Sequence, residues 1–178
     1  MRYAELLDSA HQVSGGLVVG PGGYAYATTD LLPTGSMPVP QQVTENVGVS
    51  CARFAGHPTI SATFRRHLLT LHVDLLDEVL AQTVDDLGRR SSEGKPLLNR
   101  QLVQAGIADT AMLIEQVRGL LELTDPAGDI QAMIFRRLVH GGRALLRLLG
   151  GASFLLDGPG GAVMAAELVG TLYLGAPE

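Results

Sequence analysis

Residues 60–89 have the sequence ISATFRRHLLTLHVDLLDEVLAQTVDDLGR, in which apolar side chains recur every three to five positions. That period is typical of an α-helix with a wide apolar surface, so one long and largely buried helix is predicted over about 60–89. A separate set of acidic side chains predicts a face of this helix that is turned to solvent or to another subunit. These acidic residues are Asp74, Asp77, Glu78, Asp85 and Asp86.

Three later segments of the sequence also have apolar side chains at helical spacing. Apolar side chains at helical spacing predict helices over about 97–123, 129–149 and 162–173. Glycine- and proline-containing breaks separate them, and short links favour neighbours that run in opposite directions. The sequence therefore predicts a mainly α fold, with an antiparallel four-helix bundle over residues 59–178.

Residues 1–58 differ in kind from the predicted bundle. A short amphipathic helix is predicted over 3–13, ending at Gly15 and Gly16. Glycine and proline then recur up to Pro58, which predicts loops with about two short strands, one of them near 24–27. Such a long irregular arm is unusual inside a compact domain, so it is expected to wrap a partner or a second subunit.

Composition limits the function classes. The chain has 178 residues, of which 46% are apolar, and a net charge of −5, which favours a globular domain and excludes a general nucleic-acid binder. Cys51 is the only cysteine, so no intramolecular disulfide can form and a reducing compartment is expected. The sequence shows no signal-peptide region and no apolar run of about 18 residues, so a cytoplasmic protein without a membrane partner is expected.

No catalytic or metal-ligating set stands out among the titratable residues. His67 and His72 are five residues apart, whereas two ligands on one helix face need a spacing of three or four. Asp74 and Glu78 have a spacing of four, but a charged helix face explains them more simply. The sequence therefore predicts no metal site and leaves the catalytic residues unassigned.

Three separated blocks carry a resemblance to a known family. Residues 94–104, GKPLLNRQLVQ, follow Arg90 at the end of the first long helix, with glutamines at positions 101 and 104. This block resembles the acyl-CoA dehydrogenase segment in which Arg-x-x-Phe-Gly-x-Pro-Leu leads to Gln-x-Val-Gln. Residues 148–151, LLGG, and 173–176, YLGA, resemble two later turns of that family, at matching spacing.

The resemblance covers about residues 60–178 and implies the C-terminal helical domain of the acyl-CoA dehydrogenases. In that family the corresponding arginine, glutamine and Gly-Gly turn help to hold FAD across a subunit interface. Arg90, Gln101, Gly150 and Gly151 are therefore expected to bind a flavin cofactor. A pyrophosphate needs a bidentate cation and free backbone N–H groups, which an arginine and a glycine turn can supply. The resemblance also implies a homo-oligomer and an acyl-CoA dehydrogenase-like partner chain.

Several positions depart from the family pattern. Leu174 stands where many members have the glutamate that acts as catalytic base, and a leucine cannot accept a proton. In some members the base lies on an earlier helix, where an acidic residue of the 60–89 helix could serve. The sequence is also too short for the family's N-terminal helical and middle β domains. The other departures are Glu93 for Phe, Arg147 for Gln, Ser153 for Gly, and Ala165 and Ala166 for an Arg-Asp pair.

Three hypotheses for function follow. In the first, the chain is a partial acyl-CoA dehydrogenase-like subunit that completes a flavin and acyl-thioester site with another chain, and is inactive alone. In the second, the bundle is a flavin-free, non-redox protein that binds or transforms an acyl or polyketide-like substrate. In the third, it is a purely structural dimerisation module. The absorbance of the purified protein distinguishes the first hypothesis from the other two.

Overall fold

The computed structural model describes residues 3–55, 57–123, 128–151 and 158–175. Six α-helices dominate it: α1 Tyr3–Val13, α2 Gln42–Glu45, α3 Ala62–Arg89, α4 Gln101–Leu123, α5 Gly128–Leu149 and α6 Pro159–Leu174. The strands are short: β1 Tyr24–Ala27, β2 Met37–Val39, β3 Ser50–Arg53, β4 Ser91–Ser92 and β5 Lys95–Pro96. The prediction of a mainly α fold is confirmed.

The central element is α3, which has the length that its apolar pattern predicted. The Ser61 hydroxyl accepts the Phe64 N–H at 3.1 Å and caps the start of the helix. The apolar stripe, from Phe64 to Leu87, is buried, and the acidic positions Asp74, Asp77 and Glu78 are exposed. The predicted solvent-facing acidic side of α3 is therefore present.

Glycines allow α5 to pack closely against its neighbours. A Cβ at Gly142 would lie 2.9 Å from Val163 of α6, and one at Gly141 would lie 2.6 Å from Leu113 of α4. Leu76 of α3 lies beside both glycines. Thus α3 to α6 pack around one core, with α5 in contact with each of the other three.

The N-terminal arm is more regular than its glycine and proline content predicted. Strands β1, β3 and β2 form an antiparallel sheet in that order, with Tyr26 opposite Cys51 in the central register. The expected strand near 24–27 is therefore present, and three strands form instead of about two. Strand β3 carries no glycine or proline, and its pairing depends on partners distant in sequence, which local patterns do not reveal.

The arm packs on the helices of its own chain and shares their core, so it is an integral part of the fold. That it also contacts a partner or a second subunit stays a prediction. The Tyr173 hydroxyl of α6 accepts the Tyr26 N–H at 3.0 Å and donates to the Val18 carbonyl at 3.1 Å. Tyr3 and Leu7 of α1 are also buried in this core. Apolar residues spaced along the arm thus anchor it, and within α1 they recur at helical spacing, at Tyr3, Leu7 and Ala10.

The buried His11 of α1 bonds to the rest of the arm, and its hydrogen bonds allow one tautomer only. His11 Nδ1 accepts the Val18 N–H at 3.0 Å, so the proton must be on Nε2, which donates to the Tyr26 carbonyl at 2.7 Å. The ring also stacks on Phe64 with centroids 4.8 Å apart. Burial lowers the pKa of His11 below its usual range. The hydrogen bond to the Tyr26 carbonyl raises this pKa, but by less. The folded state therefore requires the neutral imidazole.

Stability is expected to fall as the pH drops below about 6.5, the ordinary histidine pKa. A histidine whose folded-state pKa is lowered takes up its proton more readily when unfolded, so its contribution is complete above that pH and is lost below it. Burial lowers the pKa of His72 as well, in the same direction. Urea unfolding between pH 5.5 and 7.5 should show a midpoint that decreases with acidity.

The substitution His11→Gln should flatten this dependence, and the exposed His140→Gln should leave it unchanged. His72 continues to titrate in both variants, so the flattening is partial. An unfolding midpoint of the wild type that stays constant over this range would contradict the neutral assignment of His11.

Candidate functional site

The ends of α3 and α5 meet at one end of the molecule, and Arg90 joins them. Arg90 follows α3 in an extended conformation, and its Nη1 donates to the Asp86 carboxylate at 3.2 Å and to the Leu149 carbonyl at 3.1 Å. Leu149 is the last residue of α5, directly before Gly150 and Gly151. The structure therefore brings together Arg90 and the glycine turn, three of the four residues predicted to bind a cofactor.

The two glycines of the turn differ in backbone conformation. Gly150 has a φ of +61°, a left-handed conformation that favours glycine as the residue that ends a helix. A Cβ at Gly151 would have no described atom within 4 Å, and its φ is not positive, so neither packing nor backbone conformation explains that glycine. Among the described residues, no atom covers Gly151, which is where an external group could approach the backbone of the turn.

Helix ends determine which charge this region can accept. The carbonyl groups at the C-termini of α3 and α5 repel anions, and the Arg90 guanidinium offsets that repulsion. The N-terminus of α4, which begins at Gln101, lies at the same end because the Leu97 N–H bonds the Arg90 carbonyl at 2.8 Å. First-turn N–H groups of a helix attract anions. The combination is therefore suited to a phosphate held between Arg90 and the start of α4.

Gln101 is the fourth predicted cofactor-binding residue. It is exposed and opens α4, directly after the short 3₁₀ turn Leu97–Asn99. The structure places it at the same end as Arg90, but the described part of the chain gives its side chain no hydrogen bond to Arg90 or to the glycine turn. Its exposed side chain is therefore accessible to a ligand, and its position gives no further support for a role in binding.

Glu93, which replaces the family's Phe, brings a negative charge three residues from Arg90, and Arg100 pairs with it. Strands β4 and β5 form a hairpin whose two turn residues, Glu93 and Gly94, have φ values of +55° and +75°, as a type I′ turn requires. The Glu93 carboxylate accepts Arg100 Nη2 at 2.8 Å. The sequence comparison missed Arg100, because seven residues separate it from Glu93 and only the hairpin brings them together.

Leu174 lies far from this end. Its neighbour Tyr173 packs edge-to-face on Phe64 near the start of α3, with ring centroids 4.8 Å apart. Along α3, Phe64 and Arg90 are separated by about 39 Å, at about 1.5 Å of rise per residue. Leu174 itself is buried at 7% exposure. One copy of the chain therefore cannot place position 174 beside the Arg90 end.

The acidic residues of α3 do not form a substitute base. Arg118 of α4 contacts Asp77 at 3.0 Å and Asp74 at 3.8 Å on the outer surface of the molecule. Glu78 is exposed beside Gln82. Nothing in their surroundings singles out one carboxylate for proton transfer, so the structure assigns no catalytic residue within the described ranges. Those ranges also contain no cluster of three or more His, Cys, Asp or Glu side chains that could hold a metal ion.

Of the three remaining departures, two lie in described parts of the fold. Ala165 and Ala166, which replace an Arg-Asp pair of the resembled family, are buried in α6. Arg147 is exposed on the last turn of α5, one turn before the glycine pair. Ser153 lies outside the described residues.

Comparison with known proteins supports the architecture. No protein-family model and no curated protein matches the sequence. Butyryl-CoA dehydrogenase from Megasphaera elsdenii superposes with a TM-score of 0.62 at 15% identity, over 96% of this chain and 62% of that chain. A chain of the ChsE4–ChsE5 complex from Mycobacterium tuberculosis gives a TM-score of 0.62 at 17% identity, over 90% and 55%. A structure of the electron transferring flavoprotein of Acidaminococcus fermentans gives 0.63 at 14% identity, over 94% and 62%.

These superpositions extend beyond the helices. Residues 60–178 are about two-thirds of the chain, so coverage of 90–96% must include part of the N-terminal arm. None of the described helices is both long enough and apolar enough to cross a membrane. In the other direction, this chain spans about half to three-fifths of the length of the structures that it matches. The chain therefore has the fold of the acyl-CoA dehydrogenases over that part of their length.

Proposed function

We propose that this chain is an acyl-CoA dehydrogenase-like partial subunit that contributes to a flavin and acyl-thioester site together with another chain, and that it is not an active dehydrogenase alone. The observation that supports this most directly is that Arg90 donates to the Leu149 carbonyl and so lies beside the Gly150–Gly151 turn. The second chain would supply the part of the fold that the structural neighbours have and this chain does not span.

The residues at this end fit the pyrophosphate of FAD. Arg90 offers guanidinium N–H groups, and the start of α4 offers backbone N–H groups. Arg100 offsets part of the Glu93 charge. When bound, a flavin would supply the acceptor for the hydride that leaves the acyl substrate. This chain's own residues would hold and orient the phosphate end of that cofactor.

The distance between the two ends of the molecule also favours a second chain. The position that resembles the family's catalytic base, Leu174, lies roughly the length of α3 from Arg90. Any site that uses both ends must draw them from different copies or different chains. We therefore also propose that the chain forms oligomers, with itself or with an acyl-CoA dehydrogenase-like partner.

The pure chain is expected to show no turnover of an acyl-CoA when FAD and an artificial electron acceptor are supplied. The physical reason is that a leucine at position 174 cannot accept the α-proton of the thioester. Leu174→Glu is expected to remain inactive, because the carboxylate would enter a buried apolar site about 39 Å from Arg90. A complete acyl-CoA dehydrogenase assayed in parallel checks the acceptor, and turnover by the pure chain would overturn the proposal.

The flavin-free, non-redox alternative has its own support in α6. Ala165, Ala166 and Leu174 stand where the resembled family has charged residues, and all three are buried in the core. Helix α6 has therefore become structural in this chain. If the protein and its complexes bind no FAD, a non-redox role with an acyl or polyketide-like ligand, or a structural role in dimerisation, replaces the first proposal.

A further inference from the structure

Two exposed stripes of opposite charge run along α3 and α5. On α5 the positions 136, 140, 143 and 147 are Arg, His, Arg and Arg, and all four side chains are exposed. On α3 the positions 74, 78, 81 and 85 are Asp, Glu, Ala and Asp, and these are also exposed. We call them the basic stripe and the acidic stripe. The basic stripe is notable because the whole chain has a net charge of −5.

The two stripes have the same spacing along their helices. Both follow the series i, i+4, i+7, i+11, which keeps the side chains on one face over about three turns, or roughly 16 Å. Aligned in antiparallel directions, the stripes bring Arg147 to Asp74, Arg143 to Glu78 and Arg136 to Asp85. Aligned in parallel they give only two arginine–carboxylate pairs, because Arg143 then faces Ala81. The antiparallel alignment is therefore favoured.

The stripes cannot meet within one molecule. Helices α3 and α5 pack directly on each other, with the Cδ2 atom of Leu76 only 3.3 Å from where a Cβ at Gly142 would lie. Their exposed faces therefore point in opposite directions, away from that contact. A contact between the stripes must join two copies, with the basic stripe of one on the acidic stripe of the next.

Charges inside one copy offset the stripes only in part. Three stripe residues have a charged partner in the same copy: Arg143 pairs with Glu167 of α6, Asp85 with Arg89 at 2.7 Å, and Asp74 lies 3.8 Å from Arg118. Arg136 also has a partner within its own chain. Among the described residues, Glu78 contacts the neutral Gln82 amide at 3.2 Å and Arg147 has no acidic partner. These pairs are exposed, so exchanging them for pairs across an interface costs little.

Beside the basic stripe lies an apolar groove of about 380 Å³ between α5 and α6. Its apolar side chains are Leu146, Met164 and Leu168, and Met164 and Leu168 are 44% and 39% exposed. Exposed apolar groups next to a charged stripe are typical of a protein contact rather than of a solvated helix face. A neighbouring copy seated on the stripe would also cover part of this groove.

We propose that this chain self-associates head to tail, with the basic stripe on α5 of one copy docked antiparallel on the acidic stripe on α3 of the next. Because the two surfaces are different, each pair leaves one stripe open at each end, so association continues into chains or closes into a ring. This contact is independent of the flavin site, so failure to bind FAD would leave it untouched.

The proposal is tested with two reversed variants in sedimentation velocity at low salt, about 0.02 M. Arg143→Glu/Arg147→Glu retains only the acidic stripe, and Glu78→Arg/Asp85→Arg retains only the basic one. Each variant alone is expected to self-associate at least tenfold more weakly than the wild type. Mixed in equal amounts, they should form a discrete 1:1 pair, since each supplies one intact stripe and the pair cannot extend. Combining only Arg143→Glu and Glu78→Arg in one chain exchanges the charges of one facing pair and keeps the other two, so it should restore self-association.

Controls separate this contact from general charge effects. Asp30→Arg/Asp109→Arg makes the same change in net charge as Glu78→Arg/Asp85→Arg, at exposed positions outside the stripes, and should leave association as in the wild type. Circular dichroism confirms that each variant is folded. Raising the salt to about 1 M should dissociate the wild type, because screening then acts within about 3 Å. A wild type that is monomeric at low salt, an association that resists high salt, a mixture that fails to pair, or a control that dissociates equally would each overturn the proposal.

Discussion

Gly170→Ala is expected to lower the free energy of unfolding by about 2–3 kcal/mol, because the added methyl group has no room between α5 and α6. A Cβ at Gly170 would lie 2.2 Å from Cε2 of Phe135 and 3.0 Å from Nε2 of His72. Both neighbours are buried, and their rings already pack edge-to-face with centroids 5.5 Å apart. The ring of Phe135 must therefore move, or α6 must shift away from α5.

The matched control is Gly119→Ala, the same substitution in the middle of α4. No described atom lies within 4 Å of a Cβ at Gly119, so only the helix propensity of alanine acts there. That variant should be more stable than the wild type by about 0.5–1 kcal/mol. Urea unfolding followed by circular dichroism measures both changes. If both variants had the same stability, the close contact between α6 and Phe135 would be wrong.

Arg90→Ala is expected to weaken FAD binding by about tenfold to a hundredfold, the effect of losing one charge-assisted contact of about 1.5–3 kcal/mol. The alanine also removes the hydrogen bond that joins the end of α3 to the Leu149 carbonyl. A fluorescence titration with FAD, on the chain alone and on its complex with a partner chain, measures the change.

Arg89→Ala serves as the control, because Arg89 is the adjacent arginine and differs in its contacts. Its side chain is 71% exposed and pairs with Asp85, away from the glycine turn. FAD affinity should change by less than about threefold in that variant, as expected for an exposed ion pair. Equal losses in the two variants would mean that total charge, and not the Arg90 geometry, determines binding.

The sequence predicted the helices well because their signal is local. The apolar pattern of 60–89 placed α3 within two residues of its observed limits, 62 and 89. Glycine pairs correctly predicted where α1 and α5 end. The convergence of Arg90 with Gly150 could also be predicted, because alternating helix directions bring the ends of the first and third long helices to the same side.

Features that depend on distant partners could not be predicted. Strand β3 forms because it pairs with β1 on one side and with β2 on the other. The arm is anchored by contacts such as the hydrogen bond between Tyr26 and Tyr173, which are 147 residues apart. The role of Arg100 was hidden for the same reason, since only the β4–β5 hairpin brings it to Glu93. The pair is exposed, so it offsets the Glu93 charge only in part.

The most direct test of the central proposal is the visible absorbance of the purified protein. It should be recorded for the chain alone and for the chain co-expressed with an acyl-CoA dehydrogenase-like partner, each before and after incubation with FAD and removal of free cofactor. The account predicts bound flavin absorbance in the complex, which Arg90→Ala reduces and Arg89→Ala leaves intact. A complex that forms and remains colourless at saturating FAD would contradict it and would favour the flavin-free role of this fold.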